Sequence, residues 1–361
     1  MNIFTIATKR FPTGITLLIA LGFGCLFTFI HMPIPWLLGP MLGVCLFSRV
    51  MKSYVLYWPR YFQNAGLIIA GYAIGLTFTQ ETLTEIVHQL PSMVLMTLLL
   101  LLLCLLISYG VSKLAGTPYP TALTGSIPGG LTQMVVLAEE TKGIDITIVT
   151  FLQVSRLMMI VIFVPLLIFS PLFGGVHSEE LSALIPSVSS SWGELFPSII
   201  PYAIMCTGCA LLGKKFHFPT TFLLAPLIAA ALLHLSGLHG PVLPSSLMNA
   251  AQLMIGCYVG LLLKLENLPN KSRLVTLAIV SGAILVISSC GLSYLLAQLH
   301  PVSPATSLLS LAPGGMDQMG IIAHEINANV SIVTGYQLFR TFFIFFAVPP
   351  LLRLIFARIS K

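Results

Sequence analysis

The sequence predicts an all-α polytopic membrane protein. It is built as two inverted repeats of five transmembrane helices, each with a helix broken or re-entrant at a Pro-Gly-Gly. Three observations carry this. Of the 361 residues, 57% are hydrophobic and only 8% are charged, against about 25% charged in an ordinary soluble domain; the mean hydropathy is +0.98. About ten apolar runs of 17–28 residues follow one another, each long enough for about 30 Å of hydrocarbon. Motifs of the first half return in the second at an offset of about 185 residues. The composition excludes a water-soluble globule, a disordered chain and a coiled coil.

The first run, from about 14 to 31, follows Lys9 and Arg10, like the first two regions of a signal peptide. The residues His31 to Pro35 then stand where a small-residue cleavage site would be, so a retained first helix is expected. Runs near 33–49, 62–80, 92–112 and 146–173 complete the first half. The second half offers 195–212, 219–236, 247–263, 274–298 and 331–352. Between the fourth and fifth run of each half lies a Pro-Gly-Gly segment, 119–140 and 304–325, apolar but carrying Thr, Gln, Asp or Glu. These two either cross the membrane or enter and leave on one side. The longest hydrophilic stretch, 177–192, divides the chain into a first repeat, 1–176, a polar linker, and a second repeat, 193–361.

Four blocks recur in the same order. Leu37 to Pro40 (LLGP) matches Leu223 to Pro226 (LLAP), and Asn64, Gly71 and Gly75 match Asn249, Gly256 and Gly260. Ile127 to Met134 (IPGGLTQM) matches Ala312 to Met319 (APGGMDQM). Ile148 to Arg156 (IVTFLQVSR) matches Ile332 to Arg340 (IVTGYQLFR).

Loop lysines and arginines collect on the cytoplasmic side. With the N-terminus inside and the Pro-Gly-Gly segments not crossing, 15 of the 17 basic residues fall inside, and the other two, Arg156 and Arg340, are intramembrane. The outer loops then carry Glu81, Glu85, Glu179, Glu180 and Glu194. Both termini are expected inside, and an odd number of spans per half inverts the second half relative to the first, a recurring secondary-transporter design. The net charge of +6 is spread singly or in pairs between apolar runs. With no basic reading helix, nucleic acid is not an expected partner; the lipid bilayer is.

The paired blocks at Pro128 to Met134 and Pro313 to Met319 resemble the AbrB family of bacterial membrane proteins, and the resemblance covers nearly the whole chain. It implies an internal AbrB duplication in a bacterial inner-membrane protein. Members carry names as ammonia monooxygenases or as regulators of gene expression. The family looks related to the cation–proton antiporter and anion transporter group, whose folds cross two broken helices at the membrane centre. That analogy bears on fold more than on substrate.

The residues test those names. A copper or iron monooxygenase needs clustered His and carboxylate ligands, and none of the eight histidines forms a His-x-His or His-x-x-x-His set. No enzyme, metal or cofactor is expected. The seven cysteines lie inside apolar runs and read as small buried thiols. The Cys206–Cys209 spacing lacks the second pair of a metal or redox motif.

Candidate site residues fall in three sets. Pro128, Gly129, Gly130 and Pro313, Gly314, Gly315 break a helix inside the membrane, which is tolerated only where protein or a water-filled cavity covers the backbone. Such a break is either a substrate site or a packing kink. Two at corresponding positions are a pointer to a transporter's binding site. Thr132 and Gln133 follow the first break, Asp317 and Gln318 the second. Asp317 is the acid placed well inside an apolar element, functional by default unless ion-paired for structure. Gln153 with Arg156, and Gln337 with Arg340, share a helix face at i, i+3. Both arginines come about 15 Å into their helices. They either bind an anionic substrate through the guanidinium fork or tie the carbonyls freed by the breaks.

The expected function is secondary transport of a small anionic solute. With no ATP-binding loop, an H+ or Na+ gradient is the energy source. The competing class is a membrane sensor or scaffold that regulates gene expression without transport. Assembly as a homo-oligomer is left open.

Overall fold

In the computed structural model, residues 3–50, 56–129, 131–141, 143–170, 199–215, 220–238, 240–262 and 271–359 are described. The polar linker 177–192, Gly130 and the loop lysines Lys52, Lys142 and Lys264 lie outside them. Every regular element among the described residues is a helix. In chain order they are α1 (Ile3–Phe29), α2 (Pro35–Val50), α3 (Arg60–Gly75), α4 (Gln80–His88), α5 (Leu90–Ala115), α6 (Tyr119–Ser126), α7 (Leu131–Glu140) and α8 (Ile146–Ile168). Then follow α9 (Ile199–Lys215), α10 (Thr221–Leu235), α11 (Ser245–Leu262), α12 (Lys271–Leu299), α13 (Pro304–Leu311), α14 (Met316–Glu325) and α15 (Val330–Ile359).

Stretches within six of these, α1, α5, α8, α11, α12 and α15, are long and apolar enough to cross a membrane. Helices α2 and α10 are apolar but shorter. The outward faces of α5 and α12 carry Leu98, Leu102, Leu106, Ile279, Ile284 and Ile287, all exposed. Such a surface would be an aggregation hazard in water and is the ordinary surface in lipid. Across the described residues this is an all-helical membrane protein.

The helices form two compact units, Met1–Glu81 with Ile168–Leu263 and Thr82–Leu167 with Lys264–Lys361. Each unit therefore draws on both halves of the sequence.

In the first unit the contacts are reciprocal. Helix α1 packs on α2 as α9 packs on α10, and α2 packs on α11 as α10 packs on α3. Glycine size sets the second pair of seams. A Cβ on Gly71 would lie 2.5 Å from the Leu223 carbonyl oxygen, and one on Gly75 2.5 Å from that of Leu227. A Cβ on Gly256 would lie 2.5 Å from the Leu37 oxygen, and one on Gly260 2.5 Å from that of Met41. The backbones approach as in other small-residue helix interfaces. Val44, Trp58, Leu253 and Cys257 fill the core beside one seam, where the Trp58 indole donates to the Met254 carbonyl at 3.0 Å. Cys206 is buried with Tyr72 and Ala230, and both it and Cys209 are free thiols.

In the second unit α5 packs on α6 as α12 packs on α13, and α5 packs on α12. Met93, Met96, Leu296, Leu311, Ile332 and Tyr336 form its core around α15. The short helices start and stop for local reasons. Ser303 caps α13 by accepting from the Thr306 N–H at 3.2 Å. Gly116, at φ 67°, ends α5 in the left-handed conformation that glycine adopts without strain.

Candidate functional site

Helix α6 ends at Ser126 because Pro128 pushes the residue before it, Ile127, into extended backbone with ψ 130°. Helix α13 ends at Leu311 in the same way: Pro313 follows Ala312, which has ψ 124°. Each stop leaves carbonyls of the last turn without helical partners.

The Gln–Arg pairs meet those carbonyls. On α8, the Gln153 amide donates to the carbonyls of Thr124 and Ile127, both at 2.9 Å. Arg156 donates through Nη1 to the Ser126 carbonyl at 3.0 Å and through Nη2 to Gln153 Oε1 at 2.6 Å. On α15, the Gln337 amide donates to the carbonyls of Leu309 at 2.7 Å and Ala312 at 3.1 Å. Arg340 donates to those of Leu311 and Gly314, both at 3.3 Å, and to Gln337 Oε1. Cations at helix C-termini are favoured by the dipole. Both pairs are placed by helix starts: the Asp145 carboxylate accepts from the Thr147 N–H at 2.8 Å ahead of α8, and the Asn329 side chain accepts from that of Ile332 at 3.2 Å ahead of α15.

The glycines of the motif leave room for its other members. A Cβ on Gly129 would strike the Met134 methyl. One on Gly314 would come 2.8 Å from the Met319 methyl and 3.1 Å from Ile160 of α8. One on Gly315 would meet Gln318 Oε1, and Asp317 Oδ1 at 2.5 Å. Gly130 and the side chains of Thr132 and Gln133 lie outside what is described.

Arg156 is 9% exposed and Arg340 4% exposed. Cys104 of α5 is buried within electrostatic reach of both guanidinium groups. Among the described residues neither arginine has a carboxylate partner, and Arg156 Nε has no acceptor. Asp317, half-buried in the first turn of α14, is approached by the Gln318 amide at 2.9 Å. The second unit thus gathers Pro128, Gly129, Gln153, Arg156, Pro313, Gly314, Gly315, Asp317, Gln318, Gln337 and Arg340. Sequence reasoning missed the caps Asp145 and Asn329, the closing methionines and Cys104. The recurrence of Asp/Asn eleven residues before each arginine was the signal for the caps.

Fold and site together define a helical membrane protein whose helix breaks are bound by buried Gln–Arg pairs. A family model described as "Transition state regulatory protein AbrB" matches residues 36–356. The chain belongs to this AbrB family. It is 28% identical over 344 residues to a protein of Escherichia coli (strain K12) provisionally named regulator AbrB, covering 94% of each. It is 23% identical over 338 residues to an uncharacterized protein, YhjN, of Bacillus subtilis (strain 168), covering 89% of this chain and 87% of that one.

Proposed function

We propose that this protein is an inner-membrane secondary transporter of a small anionic solute, with its binding site at the paired helix breaks. The observation that carries the reading is the charge of the second unit. Two guanidinium groups are buried at the two breaks, and among the described residues neither has a carboxylate partner. Unpaired buried charge is costly, and an anionic solute would balance it. Helices α7 and α14 begin just after the breaks, so their N-terminal N–H groups add anion-binding capacity. The regulator in the name of the Escherichia coli relative is compatible with transport, since moving a metabolite changes expression indirectly.

The reading comes with a topology. Helices α2, α3, α9 and α10 join the six long spans to make ten, in two inverted halves, with both termini inside. In a Cys-free background, Lys214→Cys and Lys271→Cys should stay unlabelled by impermeant thiol reagents added from the periplasm. Labelling of both overturns the topology.

Function is tested by screening small anionic solutes for thermal stabilisation of the purified protein. A solute at 100 times its Kd should stabilise by about 2.7 kcal/mol and should then accumulate in proteoliposomes. Stabilisation without flux would favour a sensor over a transporter.

A further inference from the structure

Helix α14 starts directly after the second break, with Gly315 at its N-cap and no side-chain cap. Its first turn presents N–H groups that have no helical acceptor, and the positive end of the helix dipole. Asp317 stands in this turn, with its carboxylate within electrostatic reach of the backbone N–H groups of Asp317 and Gln318. Gln318 Nε2 donates to Asp317 Oδ2 at 2.9 Å. The other two oxygens, Asp317 Oδ1 and Gln318 Oε1, each lie beside the place where a Cβ on Gly315 would stand.

Gln318 is 2% exposed, and its Oε1 has no donor. A buried acceptor left unpaired is costly. A carboxylic acid and a primary amide complement each other through two bonds in a ring: the amide N–H donates to the acid's carbonyl oxygen, and the acid O–H donates to the amide oxygen. At Asp317 and Gln318 the first bond is in place. What completes the second is a proton on Asp317.

We infer that Asp317 and Gln318 form a proton-binding site at the second helix break, the proton held on Asp317 Oδ1 and donated to Gln318 Oε1. The proton comes from water on whichever side the site opens, and no covalent bond other than O–H forms or breaks. The groups on the surrounding elements are few. Helix α15 brings Arg340, whose Nη2 bonds the Gly314 carbonyl, and the buried phenol of Tyr336. Helix α8, whose Ile160 lies against Gly314, brings Arg156. Helix α13 has no titratable side chain, and on α14 itself His324 and Glu325 come two turns later. The backbone N–H groups of the first turn favour the carboxylate; the waiting amide oxygen favours the acid.

The consequence for transport rests on the reading proposed above. Protonation neutralises Asp317, the one acid that the described residues place at the second break, and leaves both guanidinium groups in place. Proton and anion then strengthen each other's binding, reciprocally, and the solute binds more tightly as pH falls. In the first half Thr132 stands where Asp317 stands in the second, so the acid–amide pair belongs to the second break.

The site is tested on the full chain in lipid, without any solute, by infrared difference spectroscopy across a pH titration. A protonated-carboxyl C=O band should grow as pH falls, vanish in Asp317→Asn, and shift in Gln318→Leu, where the ring cannot form. Asp317→Asn places an amide N–H where the acid O–H would be, so it should fold with undiminished thermal stability. The inference is overturned if Asp317→Asn removes no band, or if Gln318→Leu leaves the band where it was. Proteoliposomes with an internal pH dye then test coupling, using acetate, succinate and inorganic phosphate as probes. Proton entry with a probe in the wild type, and probe entry without protons in Asp317→Asn, support the coupling. An infrared band that behaves as expected, with no probe moved, upholds the proton site and counts against the transport reading alone.

Discussion

Arg340→Gln is expected to weaken binding of the anionic solute by 10- to 100-fold while the protein remains folded in the membrane. A hydrogen bond to a charged group contributes about 1.5–3 kcal/mol, and each 1.4 kcal/mol is tenfold in affinity. The folded protein should tolerate the change because two effects oppose each other. Glutamine gives up ties to the Leu311 and Gly314 carbonyls, and it also removes a charge buried to 4% exposure with no carboxylate beside it among the described residues. Arg340→Lys separates the two roles. Lysine keeps the charge but lacks the planar fork that reaches two carbonyls and Gln337 at once. Affinity should therefore follow the order Arg, Lys, Gln, whereas the melting temperature should fall further in Arg340→Lys than in Arg340→Gln. Arg156→Gln should behave like Arg340→Gln. Titration of the purified variants with a solute found by thermal screening checks this. Unchanged affinity in both glutamine variants would make the arginines structural ties and nothing more.

The parts of this molecule that were legible in the sequence are those set within a few residues. Hydropathy marks the long helices because every backbone group in lipid must bond within its own segment. The stops at Ser126 and Leu311 follow from Pro128 and Pro313 because a proline acts on its immediate predecessor. The pairing of Gln153 with Arg156 and of Gln337 with Arg340 is helix periodicity. What those side chains hold was not legible: an anion fork and a carbonyl tie demand the same residue types. Only the packing of α8 against α6 and of α15 against α13 puts Arg156 on the Ser126 carbonyl and Arg340 on that of Leu311. The grouping of helices into units that draw on both halves was equally hidden. Gly256 signals that some backbone comes close, but nothing local says that it is Leu37, more than 200 residues earlier.

Those seams give the second large effect. Gly256→Ala would put a methyl 2.5 Å from the Leu37 carbonyl oxygen. A backbone atom cannot swing aside as a side chain does, so α2 and α11 must separate. Overpacking of this kind costs about 1–3 kcal/mol, and leucine at the same position should prevent accumulation of folded protein. Gly71→Ala meets the Leu223 oxygen at the same 2.5 Å and should cost the same within error, because the two seams are reciprocal. Gly260, one turn on, would meet the Met41 oxygen across the seam that holds Gly256. Once one methyl has parted these helices the second has less to displace, so Gly256→Ala with Gly260→Ala should cost less than the sum of the single changes. Gly110 and Gly291 sit in α5 and α12, where a Cβ would meet nothing within 4 Å. Alanine there removes backbone freedom from the unfolded chain and should be neutral or stabilise by about 0.5–1 kcal/mol. Thermal unfolding of the purified single and double variants measures all of this. Equal effects of Gly256→Ala and Gly291→Ala would mean that helix propensity, not the close approach of α2 and α11, governs these glycines.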